Sequence, residues 1–315
     1  MKTSSLLKGA CLGAAGIGSI SFLNHMLTKT SISQNLLYQD ESDYFHWRYG
    51  KIHYTRLGEG TPLLLIHEPA PDGSANEWLQ IQYELAKKYT VYTLDLLGCG
   101  RSEKPSFSYT SYTYIQLISD FIRTIIGKPA NIITSGSSAA FAILACSDHP
   151  EFVQRIIMIN PCTFRDGLRI PSSTSRLRKQ IIEMPILGSL IYNIAYSRTE
   201  IEKRLKSAYT DGYAGIHAEA EIRSEAAHLG GSCARFLYAS QRGKYLHIPF
   251  RGPLQKTDHS LYFIGGSEFP GIHTIASEYQ TENPAIEFEL ISNSVRYPHI
   301  ENPAETTEMI QIFLD

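Results

Sequence analysis

A serine hydroxyl is a weak nucleophile until a neighbouring base takes its proton, so the chemistry needs an exposed serine on a tight turn and a histidine delivered by the fold. The segment Ser135-Gly136-Ser137-Ser138-Ala139-Ala140 offers such a turn. Apolar Asn131-Ile132-Ile133-Thr134 precedes it and Phe141 follows, which reads as strand, tight turn and helix start, the context of a G-x-S-x-G nucleophile elbow. With Ser138 as nucleophile the match is G-x-S-x-A, Gly136 lying two before and Ala140 two after. With Ser137 as nucleophile, Ser135 and Ala139 take those places. Ser138 is the favoured register, because the position two before the nucleophile most needs glycine for the strained turn to close. A plain helix N-terminus would use the same hydroxyls only as caps.

The surrounding elements suit a turn of this kind. Pro62 to His67, Val91 to Asp95, Asn131 to Thr134 and Arg155 to Ile159 are short, nearly continuous apolar runs. Such runs fit strands buried on both faces of a parallel sheet. Helical stretches lie between them at Trp78 to Lys88, Tyr114 to Ile126 and Ser138 to Cys146, so strand and helix alternate as in a βαβ-built sheet. Ahead of them, Tyr44 to Arg56 alternates aromatic and polar residues around Gly50 and reads as one or two antiparallel strands. From Cys162 to about Lys256 the strand pattern gives way to amphipathic helices at Arg176 to Glu183, Leu187 to Tyr196, Thr199 to Tyr209 and around Glu219 to His228. The sheet resumes at Ser260 to Gly265 and Ile286 to Ile291, and a helix from Ala304 to Leu314 ends the chain.

Five segments in order resemble the landmarks of the α/β-hydrolase superfamily: His67-Glu68 with Trp78, Asp95-Leu96-Leu97-Gly98-Cys99-Gly100-Arg101-Ser102, the serine turn, Phe263-Ile264-Gly265-Gly266-Ser267-Glu268, and Tyr297-Pro298-His299-Ile300-Glu301-Asn302-Pro303. The resemblance covers roughly Tyr44 to Asp315 and is closest to the lidded esterases, lipases and aminopeptidase-like enzymes. It implies an α/β fold with a mostly parallel, doubly wound sheet and an inserted helical lid. The expected organisation is 1–28 as a membrane anchor or signal segment, 29–43 as linker, 44–161 and 257–315 as the two parts of the core, and 162–256 as the lid.

The same resemblance makes His299 the general base for Ser138 and Glu268 the acid that orients it, with Asp258 and Asp95 as weaker alternatives for the acid. His67 is expected to hold the following turn by hydrogen bonds, and Asp95 to anchor Gly98 to Ser102. The oxyanion donors would be the backbone N–H of Ala139 and one from the loop after His67, where the superfamily commonly has H-G-x. This chain reads His67-Glu68-Pro69-Ala70, and Pro69 has no N–H, so Glu68 or Ala70 must donate or the hole is defective. A Glu68 carboxylate beside a developing oxyanion is unfavourable unless it points away.

Composition sets the outer limits. With 315 residues, 43 % hydrophobic, the chain can bury a full core, and a formal net charge of −2 without charge runs gives no footprint for nucleic acid. Five scattered cysteines show no metal or disulfide spacing, and no cofactor or metal is expected. The uncharged run Gly9 to Leu23 after Lys2 and Lys8 reads as a single-pass anchor with the catalytic domain outside, with a cleaved signal of a secreted chain and a buried or peripheral helix as the alternatives. Function is expected to be serine hydrolysis of a small carboxylic ester or similar acyl compound through an acyl-enzyme. Missing glycines and Pro69 motivate the alternative, a non-catalytic binding or scaffolding protein on the same fold. Dehalogenase and epoxide hydrolase chemistry is disfavoured, since the related enzymes use an aspartate nucleophile and the turn holds none.

Overall fold

The computed structural model describes residues 18, 21–22, 24–32, 35–37 and 42–315. Eight strands form one sheet in the order β1-β2-β4-β3-β5-β6-β7-β8. Strands β1 (Ser42–Trp47) and β2 (Gly50–Leu57) make a hairpin whose tight turn pairs Trp47 with Gly50, and β2 lies antiparallel to β4 (Tyr89–Leu94). From there β3 (Thr61–Ile66), β5 (Ala130–Ser135), β6 (Val153–Ile159), β7 (Ser260–Gly266) and β8 (Glu287–Ile291) run parallel. This is the mostly parallel, doubly wound α/β sheet expected of the α/β-hydrolase fold.

The apolar runs are continuous because both faces of the sheet are covered. Along β3, Leu64 and Ile66 join one core and Leu63 and Leu65 the other, as the two-residue period of a strand requires. Against the second face pack α1 (Leu79–Leu85) and the final helix, with Ile81, Leu85, Ile310 and Phe313 buried there. The first face takes α2 (Ser111–Phe121) and α3 (Ser138–Asp148). Helix α3 buries nearly its whole circumference, from Ala139 through Ile143 to Cys146. An all-round apolar helix of this kind is a central one, and the elbow that feeds it is therefore held rigidly. Edge strand β8 instead alternates exposed Glu287 and Glu289 with half-buried Phe288 and Leu290.

Between β6 and β7 the chain is helical, with α4 (Ser173–Glu183), α5 (Pro185–Ala195), α6 (Arg198–Lys206), α7 (Ile216–His228), α8 (Arg235–Arg242) and α9 (Arg251–Lys256). Two further helices, α10 (Ile272–Glu282) and α11 (Pro303–Leu314), flank β8. Helices α8, α9 and α10 have no counterpart in the sequence expectation. Gly230 and Gly231 are both left-handed, at φ +85° and +58°, and break the insertion between α7 and α8.

The expected membrane anchor and outside placement are corrected. Among the described residues no helix is long and apolar enough to cross a membrane. The uncharged run lies largely outside the described residues, and the helix at 24–31 that follows it docks on the insertion, Asn193 Nδ2 donating to Asn24 Oδ1 at 2.8 Å. Just beyond, buried Glu225 of α7 accepts the backbone N–H of Leu36 at 2.9 Å.

Asp95 ties together the loops beneath the sheet's carboxyl edge. Its carboxylate accepts the N–H of Ala75 at 2.6 Å and of Arg101 at 2.8 Å, and faces His53 Nδ1 at 3.0 Å. Gly100 is required here, because a Cβ at that position would stand 2.4 Å from the carboxylate. Burial raises Asp95, but His53, His67 and the Ala75 N–H together outweigh it and pull the group down from 3.8 to about 2. Glu77 behaves alike: burial raises it, and His299, Arg223 and His67 together bring it from 4.5 to about 2. Because both are depressed in the folded state, the unfolded chain binds more protons as pH falls through that window. Urea stability should therefore hold above about pH 5 and decline between roughly pH 4.5 and 2, by on the order of 2 kcal/mol per carboxylate. Chemical denaturation across pH of the parent, Asp95→Asn and Glu77→Gln should show that each substitution lowers stability at pH 7 and flattens the acid limb.

Candidate active site

Two residues turn the chain between the end of β5 at Ser135 and the start of α3 at Ser138. Gly136 takes φ +55°, while Ser137 is already helical at φ −70°, ψ −14°. The strained, left-handed place of the elbow, from which a side chain is aimed into the cleft, falls on Gly136 and on neither serine. That position carries no side chain. Its N–H donates across to the Ile159 carbonyl of β6 at 3.1 Å, which fixes the turn to the sheet.

Ser138 sits one step into the helix, fully buried, with Oγ donating to the His67 carbonyl at 2.7 Å. Ala139 N–H, the expected oxyanion donor, donates within the turn to the Gly136 carbonyl at 3.3 Å. His299 is fully buried on the helical turn Pro298–Glu301 and stacks on Trp78, with ring centroids 4.6 Å apart. Its Nε2 faces Glu77 Oε1 at 3.2 Å, off hydrogen-bond alignment, and neither ring nitrogen has a hydrogen-bond partner among the described residues. Glu268 is exposed beyond β7, its backbone N–H donating to Ser294; Asp258 is likewise exposed. The serine, histidine and acid expected to act together are thus not joined: helical register turns Ser138 inward, and His299 is packed against Trp78 with Glu77 as its carboxylate.

His67 and Asp95 take the structural places expected of them. Leu96 N–H donates to His67 Nε2 at 3.0 Å, so the ring proton is on Nδ1, which donates to the Glu68 carbonyl at 2.8 Å. This brace sets the direction of Glu68. Its side chain points into the site, and Oε1 accepts the Ser137 N–H at 3.3 Å. A Cβ built on Gly136 would stand 2.7 Å from the Glu68 carboxyl carbon, so Glu68 fills the space that an elbow side chain would use. Oε2 is ion-paired with Arg296 Nη2 from the loop after β8. Glu68 first, then Tyr297, hold Arg296 protonated above its ordinary range.

A cavity of about 440 Å³ opens over this pair, floored by Gly136, Ser137, Glu68 and Arg296 and walled by apolar Phe141, Leu246, Ile248 and Ile275. His247 and Cys162 also line it. Burial, then Arg169, lowers His247 below the usual histidine value, so the ring is neutral at pH 7. Burial, then Glu68, pushes the Cys162 thiol up to about 12, which leaves it a poor nucleophile. A second cavity of about 450 Å³ lies beside the first and shares Glu68, Phe269, Pro270 and Arg296 with it. Among the described residues no group of three or more His, Cys, Asp or Glu is placed to hold a metal ion.

Sequence reasoning misses Gly136 as the apex, and Arg296 and Glu77 altogether. The first has a readable signal: in the turn, glycine is the residue that takes positive φ without strain. Arg296 has a weaker one, a cation three residues before His299 in the same loop. The geometry makes a direct prediction. Gly136→Ala adds a left-handed Cβ cost of about 1–2 kcal/mol and a collision with the Glu68 carboxylate. Thermal or urea unfolding should show this loss, and adding Glu68→Gly should recover part of it; strict additivity of the two would remove the contact from the account.

Residues 62–183 match the family model described as the alpha/beta hydrolase fold. Over 108 residues the chain is 28 % identical to 2-hydroxy-6-oxo-6-(2'-aminophenyl)hexa-2,4-dienoic acid hydrolase of Metapseudomonas resinovorans, covering 34 % of this chain and 37 % of the relative. Over 110 residues it is 26 % identical to a soluble epoxide hydrolase of Corynebacterium sp., 35 % of this chain and 38 % of that one. These segments span little more than a third of the relatives' own length. Among solved structures, a serine hydrolase involved in carbazole degradation superposes with a TM-score of 0.71 at 18 % identity, over 87 % of this chain and 98 % of that one, a likeness of fold. The relatives matched over that third are hydrolases, and the family match over residues 62–183 together with the sheet order shows that this chain has the α/β-hydrolase fold.

Proposed function

We propose that the chain is a hydrolase of a small acyl compound bound in the cleft over Gly136, with water positioned at Glu68, rather than a serine, as the attacking group. One observation carries this reading: the elbow apex is Gly136, and the space above it is filled by the Glu68 carboxylate paired with Arg296. Ser138 Oγ donates to the His67 carbonyl, and no base among the described residues lies on it to take its proton. A carboxylate in the cleft can take a proton from water as the oxygen attacks the acyl carbon, and return it to the leaving group. Freed from a guanidinium, a carboxylate accepts a proton more readily. The Ser137 N–H that Glu68 now occupies would then face the developing oxyanion. The apolar walls suit the carbon skeleton of an acyl compound, and the Metapseudomonas relative is named for hydrolysing a dienoic acid.

A second reading is binding without turnover. It is favoured by the same missing side chain at Gly136, since an elbow without a nucleophile still leaves a 440 Å³ ligand site.

Hydrolysis of a panel of p-nitrophenyl esters and dienoic acids, with fluorophosphonate labelling, tests both. Ser138→Ala should keep turnover within about threefold and the parent should resist labelling, whereas Glu68→Gln should lower kcat by about a hundredfold or more. Labelling lost in Ser138→Ala or Ser137→Ala together with activity would establish an acyl-serine route instead. Ligand binding in the parent with no turnover of any panel member would establish the second reading.

A further inference from the structure

The Glu68–Arg296 pair has the form of a bound ligand carboxylate held by the protein. One oxygen rests on a backbone N–H of the elbow, Ser137, and the other on a guanidinium, the two kinds of donor that recognise an organic anion. The carboxylate occupies the open space over Gly136 at the meeting point of the two cavities, where it forms a shared wall with Arg296, Phe269 and Pro270. We infer that Glu68 is a tethered stand-in for the carboxylate of the natural ligand, and that an apolar organic carboxylate binds by displacing it from Arg296 and joining the two cavities. This rests on the reading of the cleft as the substrate site and adds the chemical class of what enters it.

The two partners are built differently. Arg296 is fixed through its backbone, its N–H donating to the Ala208 carbonyl at 3.0 Å and its carbonyl accepting Asn160 Nδ2 at 2.9 Å. Its guanidinium also lies against Tyr297, 5.8 Å from the ring centroid, whereas the Glu68 backbone is held by His67 and its carboxylate rests only on the one N–H and the one guanidinium, so its torsions can carry the carboxylate away while the cation keeps its other contacts. Exchange strands no buried charge, because the side chains are 26 % and 35 % exposed, enough for water to solvate a released carboxylate. Anion for anion on Arg296 keeps the guanidinium paired and leaves the Ser137 N–H free, and the free energy of exchange falls on the apolar body of the ligand against Phe141, Leu246, Ile248 and Ile275. A tethered competitor also lowers apparent affinity by the fraction of time it occupies the site. An apolar compound without the charge gains nothing from Arg296.

Isothermal titration with sodium benzoate, against benzyl alcohol as the uncharged analogue, tests this on the full chain. Glu68→Gln keeps the size and removes the charge, and benzoate affinity should rise by about tenfold or more as the internal competitor is lost. Glu68→Ala, checked for a native melting transition, should show the same gain and serves if glutamine perturbs the loop. Arg296→Met in either background should abolish the gain. Unchanged or weaker benzoate binding in both Glu68 variants overturns the inference, as does an equal gain for benzyl alcohol, which would mean only that space had opened. The readout is affinity, so loss of turnover in Glu68→Gln, expected for a catalytic carboxylate, leaves this result independent.

Discussion

A helix can start two residues after a buried parallel strand only if the chain reverses through a left-handed residue. In this protein that constraint falls on Gly136 at φ +55°, and much of the site follows from it. An L-residue there would carry a Cβ into the cleft; glycine leaves the cleft floor open, and Glu68 from the facing loop closes it. Because the turn is pinned to Ile159 of β6 and feeds a helix buried on nearly all sides, the floor is rigid. The carboxylate above it rests on the Ser137 N–H and the Arg296 guanidinium.

The direction of that carboxylate is set by a chain of hydrogen bonds that begins well away from the cleft. Asp95, at the end of β4, holds the loops at Ala75 and Arg101, while the Leu96 N–H fixes the tautomer of His67. His67 Nδ1 then donates to the Glu68 carbonyl, and its own carbonyl receives Ser138 Oγ. Ser138 thereby belongs to the brace between elbow and loop. The polar groups that resemble catalytic parts, Ser138, His67 and the His299–Glu77 pair, are buried and structural in their contacts, and the two side chains meeting at the cleft floor are Glu68 and Arg296.

Much of the fold was legible because its physics is local. Leu63 to Ile66 reads as a strand covered on both faces since every residue in it is apolar, and the hairpin around Gly50 reads from alternation. Helices α8 and α9 escape because they lie in a region without strands between which a helix could be inferred, and α9 is only six residues long; α10 lies between two expected strands but buries only Ile272, Ala276 and Tyr279, a thin apolar stripe. The site is less legible for a different reason. A motif fixes spacing along the chain, whereas chemistry depends on which residue takes the left-handed place, and a shift of two moves the apex from Ser138 to Gly136. At the other loop a shift of three separates buried His299 from Arg296 at the cavity wall. The carboxylate that the resemblance implies as the acid, Glu268, is exposed, and the one beside His299 is Glu77, whose position before Trp78 carries no motif at all.

Charge balance explains why such a site persists without collapsing. A lone Glu68 beneath an apolar cavity would be costly, and a lone Arg296 equally so; together they leave a neutral floor that remains partly wetted. A covalent serine mechanism would need this same space to hold a developing oxyanion, and a resident carboxylate opposes that at short range. Glu68 and an acyl-serine intermediate are thus alternatives for one volume. A mechanism on this elbow must therefore either move the carboxylate or use it, since the apex beneath is pinned to the sheet and the space above it holds one charged group or the other.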